Sequence, residues 1–210
     1  MASAIDPQCI NPHKSEIPGL SAEDVEFPFE LTPKDFLDFA GDDLKGGSDG
    51  DSINALGNIK RSIDCLFDSL LFAVGFLEDS KQERWTFPEK MNFLGEIGII
   101  TPYILGRINS ARNLLEHEFK KPNRIDVETA YDVATLLYYA TFRFTKRFFN
   151  MVDMGAEYRG EPICLRIYIN REERTINVSD GKQKIFVAWT KNPDNYKRWL
   201  RVVYQVLSLE

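Results

Sequence analysis

From about residue 34 to residue 151 the apolar positions recur at helical spacing; beyond Gly155 they alternate, as in half-buried strands. Thr32-Pro33 predicts a helix cap with proline at the first helical position, then a short amphipathic helix through Phe36, Leu37, Phe39, Ala40 and Leu44. Gly46-Gly47-Ser48-Asp49-Gly50 breaks the pattern. A long helix follows from Asp51/Ser52 to about Leu77, with Ile53, Leu56, Ile63, Phe67, Leu70, Val74 and Leu77 as its stripe. Pro88 opens the next, through Met91, Phe93, Leu94 and Ile97, and Gly98 closes it. Thr101-Pro102 starts another that Pro122 stops. Asp126 then caps a last long helix to about Met151, with Ala130, Val133, Leu137, Tyr138, Phe142 and Phe148 towards the core.

The later alternation predicts strands over Ile163–Ile169, Thr175–Val178 and Lys184–Trp189, with Asp180-Gly181 as a hairpin turn. A closing helix carries Tyr196, Trp199, Leu200, Val203 and Leu207. Residues 1–33 hold five prolines and no sustained period, which reads as an extended arm with Phe27, Phe29 and Leu31 against the core. The expected fold is α+β: an arm over 1–32, a four- or five-helix bundle over 33–155, and a β-β-β-α unit over 159–208.

Composition narrows the classes. At 43% hydrophobic and 28% charged residues, the chain matches an ordinary globular protein. A net charge of −6 argues against non-specific coating of nucleic acid, though not against a local basic patch. Cys9, Cys65 and Cys164 are too dispersed for a disulfide framework or a zinc site, and Cys65 reads as a small buried hydrophobe. There is no Gly-rich phosphate loop, so no cofactor is expected, and no metal. No leader-like segment or apolar run of membrane-spanning length is visible, which predicts a cytoplasmic protein without a membrane partner.

Chemistry concentrates in the helix expected over Ile104–Pro122. Ile104, Ile108, Ala111, Leu115 and Phe119 form its apolar stripe, and Asn109, Asn113 and His117 line up on another face. Arg112 stacks on Glu116, and only its long side chain can bring the guanidinium towards His117. From Arg107 to Arg124 five Lys/Arg stand against two Glu, a local excess of +3. Arg and His together can cleave a phosphodiester without metal: the guanidinium stabilises phosphoryl charge, and imidazole moves protons near neutrality. RNA supplies its own 2′-hydroxyl nucleophile. A base and an acid are both needed, which predicts a symmetric dimer, or a higher even oligomer, that apposes two motif helices.

The run Arg112-Asn113-Leu114-Leu115-Glu116-His117, after a helix reading N-A-L-G-N-I-K-R-S-I-D and before a basic K-K-P exit, resembles the R-N-x-x-x-H signature of HEPN domains over about residues 34–150. The resemblance implies a helical bundle and a metal-independent endoribonuclease of toxin–antitoxin or phage-defence type. It makes Arg112, Asn113 and His117 catalytic, with Arg107, Lys120 and Lys121 on the RNA and an antitoxin or regulatory protein as a further partner. Some HEPN-like domains are non-catalytic, so the alternative is a dimerisation or sensor module whose C-terminal unit binds a protein or small ligand.

Overall fold

The computed structural model describes residues 5–100, 122–180, 185–187 and 193–209. In order these form β1 (Glu16–Asp24), α1 (Pro33–Asp43), α2 (Asp49–Ala73), α3 (Leu77–Gln82), α4 (Phe87–Glu96), α5 (Arg124–Lys146), β2 (Arg147–Tyr158), β3 (Glu161–Asn170), β4 (Thr175–Ser179), β5 (Ile185–Val187) and α6 (Pro193–Leu209). The protein is α+β. Its strands make one antiparallel sheet in the order β1-β2-β3-β4-β5.

Local chemistry sets most helix starts. Thr32 with Asp35, Ser48 with Asp51, and Thr86 with Glu89 are reciprocal capping boxes, each satisfying backbone N–H groups that the first turn leaves unpaired. Helix ends are equally explicit. After α2, Phe76 N–H donates to the Leu71 carbonyl at 2.8 Å and Gly75 N–H to Phe72 at 3.1 Å; the same double bond recurs at Gly98, and both glycines take the left-handed conformation. The long helix expected to Leu77 therefore stops at Ala73, and Leu77 begins the short α3.

Three expectations are corrected. The last long helix does not reach Met151: α5 ends at Lys146, and Arg147 is already extended at φ −137°, ψ 137°. Residues 147–158 form β2, hydrogen-bonded on both sides, to β1 and to β3. The N-terminal arm is likewise no mere extension, because residues 16–24 are the edge strand β1. Pro18 is tolerated there because an edge strand leaves one row of N–H groups outside the ladder. Consequently the β2–β3 hairpin, turning at Arg159-Gly160, lies where the sequence pattern began a separate unit. Asn123, not Asp126, caps α5.

One sheet face is apolar. Val152, Met154, Leu165, Ile167, Ile169, Ile176 and Val178 are buried, as are Tyr196, Leu200, Val203 and Tyr204 of α6. They share a single hydrophobic cluster with Phe67, Leu70, Leu94 and Leu137 of the helices. Tyr204 meets Phe144 edge-on at 5.1 Å, and Phe76 touches both Phe93 (4.6 Å) and Tyr196 (6.1 Å). The turn after β3 locks the layers together. Arg174 Nε donates to the Gly75 carbonyl at 3.1 Å, its guanidinium forks onto Asp79, and it lies 4.4 Å over the Phe76 ring. Some expected core positions are instead on the surface: Ile53, Phe39 and Phe142 are exposed, and Cys65 is only half-buried.

Candidate functional site

Arg107, Arg112, Asn113, His117, Lys120 and Lys121 all lie outside the described residues, as do the Thr101-Pro102 start, the turn after Asp180 and the ends of the strand expected over 184–189. What is described is how the chain enters and leaves the motif segment. On entry, Gly98 closes α4 and Ile99 and Ile100 are buried. On exit, the Asn123 carboxamide accepts from Ile125 N–H at 3.1 Å, and Arg124 donates to the Gly46 carbonyl at 2.5 Å, to the Leu44 carbonyl, and to Glu128 at 2.8 Å. Arg124 thus ties the α1–α2 connection to the start of α5. It contributes to the local charge excess, but its donors are spent on protein acceptors.

Along α5, Val127, Ala130, Ala134, Leu137 and Thr141 face the core. Ile125, Leu136 and Tyr139 lie on the opposite side, 68%, 71% and 62% exposed. Exposed Glu128 and Asp132 separate Ile125 from Leu136 and Tyr139 on that side, so the outer face is largely polar, with Leu136 and Tyr139 a small apolar spot one turn apart.

Among the described residues, a cleft of about 350 Å³ lies between α6 and the N-terminal residues. The sequence pattern showed this stretch only as an extended arm. In the structure it is built from two short 3₁₀ turns, Pro7–Cys9 capped by Asp6 and Pro12–Lys14 capped by Asn11, each with proline at its first position. Ile5 and Ile10 are buried, and Ile10 bridges to Tyr158. His13 sits in the second turn, exposed, its N–H held by the Asn11 carboxamide at 3.1 Å. Pro7, Gln8, Ile10 and Pro12 form one wall; Arg198, Arg201, Val202 and Gln205 of α6 form the other. Gly98 brings α6 close, since a Cβ there would meet Gln205 Cγ at 3.0 Å and the Arg201 carbonyl at 3.2 Å. The signal in the sequence was Arg198-x-x-Arg201 on the polar side of an amphipathic helix; nothing local showed what would face it.

A second, wider cleft of about 500 Å³ opens at the β1–β2 edge beside Glu16, Gly155 and Cys164, where Lys14 pairs with Glu157 at 3.0 Å. On the outer face of the sheet, Arg166 binds Asp153 through two hydrogen bonds of 2.6 and 2.9 Å, which hold the Asp153 carboxyl below its usual range. Among the described residues no group of three or more His, Cys, Asp or Glu is placed to hold a metal ion, and no helix is long and apolar enough to cross a membrane. Compared with protein-family models, with curated proteins and with solved structures, the chain gives no match.

Proposed function

We propose that the protein is a metal-independent endoribonuclease of HEPN type, acting in the cytoplasm as a homodimer. The observation that carries the reading is the R-N-x-x-x-H run at 112–117, in a stretch of sequence with helical periodicity. It is supported by the helices α4 and α5 on either side of that segment. Arg112 binds the scissile phosphate, His117 transfers protons and Asn113 positions the substrate. Arg107, Lys120 and Lys121 hold the flanking RNA. The 2′-hydroxyl attacks the phosphorus, the 5′-oxygen leaves with a proton, and a 2′,3′-cyclic phosphate remains.

Each chain supplies one motif histidine, so an acid and a base of that kind require two chains, and two apposed motif faces concentrate positive charge. Apolar contact must therefore hold the pair together. Exposed Leu136 and Tyr139, one turn apart on the outer side of α5, offer such contact.

Labelled RNA incubated with the protein in EDTA should yield cyclic phosphate ends, and His117→Ala or Arg112→Ala should abolish the product at unchanged thermal stability. Leu136→Glu should halve the mass seen by light scattering and remove activity with it. Cleavage that persists in both motif variants would refute the assignment. A second reading, a non-catalytic dimerisation or sensor module, is favoured by the ordered cleft on α6; harmless overexpression and no cleavage product would select it.

A further inference from the structure

The cleft beside α6 combines features that point to one ligand chemistry. Arg198 and Arg201 are one helical turn apart, so their side chains rise from neighbouring positions on one face. Among the described residues, neither guanidinium has a carboxylate partner, although the chain carries a net charge of −6. None of the eight described lining residues is acidic. Gln8 and Gln205 add amide groups that donate and accept. The remaining lining, Pro7, Ile10, Pro12 and Val202, is apolar, and the two capped proline turns hold it in place. A volume of about 350 Å³ falls in the range of small-molecule sites.

We propose that this cleft binds a small phosphomonoester that carries a ring, of the size of a nucleoside monophosphate. A terminal phosphate brings close to two negative charges and three acceptor oxygens. Two adjacent guanidinium forks match that charge and geometry better than they match a singly charged carboxylate. The apolar wall takes the ring, and the glutamine amides meet its polar edge. Salt screens the attraction between the guanidinium groups and the phosphate, and the acidic protein's repulsion of the same anion partly offsets that loss, so affinity falls modestly as salt rises. The proposal is independent of the motif at 112–117 and of any ribonuclease activity.

Titration calorimetry on the full chain tests it, with AMP, UMP, inorganic phosphate, adenosine and succinate as probes. AMP or UMP should bind saturably and tighter than phosphate, and adenosine should give no heat. Arg198→Gln and Arg201→Gln should each weaken binding roughly tenfold or more while the unliganded melting temperature stays put; Lys14→Gln, in the other cleft, should change nothing. A 5′-phosphorylated trinucleotide set against its 5′-hydroxyl form separates a free nucleotide from an RNA end as the source of the phosphate. Wild-type protein gives a second readout: AMP should protect Arg198 and Arg201 from phenylglyoxal, located by mass spectrometry. No saturable binding of any phosphate probe, succinate binding tighter than AMP, or full binding by the double variant would each overturn the proposal.

Discussion

Replacing Gly75 with alanine tests the junction between the helices and the sheet. Two costs are separable there. Gly75 has φ +81°, a left-handed conformation that costs an L-residue about 1–2 kcal/mol. The added Cβ would also lie 2.4 Å from the Arg171 carbonyl oxygen, well inside the closest approach real Cβ atoms make. That carbonyl cannot yield cheaply. The Asn170 side chain holds the turn by accepting from Glu172 and Glu173 N–H at 3.0 and 2.9 Å, and Arg174 ties it to Gly75 and Asp79. Forcing the turn back is an overpacking change, about 1–3 kcal/mol. The sum is about 2–5 kcal/mol. Gly160 is the control, because its φ is +87° but nothing lies within 4 Å of its Cβ position, which leaves the conformational cost alone. Urea unfolding of the two variants should therefore differ by about 1–3 kcal/mol, or roughly 0.5–1.5 M in midpoint at an ordinary slope. Equal losses in Gly75→Ala and Gly160→Ala would refute the idea that close approach to the 171–174 turn is what demands glycine.

Three further outcomes follow from the same geometry. Arg84 ends α3 at φ 55°, in the hydrogen-bond pattern that Gly75 and Gly98 use, so Arg84→Gly should raise stability by about 0.5–1 kcal/mol in the same urea assay. Burial pushes the Cys65 thiol up to about 11, leaving roughly a hundredfold less thiolate than an ordinary cysteine at a given pH. A disulfide reagent at pH 8 should accordingly label exposed Cys9 and Cys164 quickly, and Cys65 only on unfolding. The Asp35 carboxylate is held below its usual range by the Thr32 hydroxyl and then by the Thr32 N–H, each donating to it at 2.7 Å. Because the folded value is the lower one, its contribution is present above about pH 4 and fades as pH falls through the folded value. Asp35→Asn should lose stability against wild type at pH 7, and the gap should narrow by pH 2.5.

The chain's own chemistry determined where most helices begin and stop. Thr32 before α1 and Gly98 after α4 act within one turn of backbone and were read without any tertiary contact; the boxes at Ser48 and Thr86 are equally local, but the sequence pattern put those two helix starts at Asp51/Ser52 and Pro88. The alternation in β3 and β4 was legible for the same reason. Residues 147–158 were not. Phe148, Phe149, Val152 and Met154 suit either a helix or a strand, and pairing with β1 on one side and β3 on the other decides for the strand. β1 itself, with Pro18 and Gly19, has little strand propensity; it is a strand because β2 presents an edge to it. The motif at 112–117 is readable as a pattern of residue types, whereas the cleft at Arg198 and Arg201 is not, since its opposite wall comes from residues 7–12 at the other end of the chain. Caps and periods are local interactions and can be read in order; sheet pairing and clefts join distant segments, and only the folded chain brings those together.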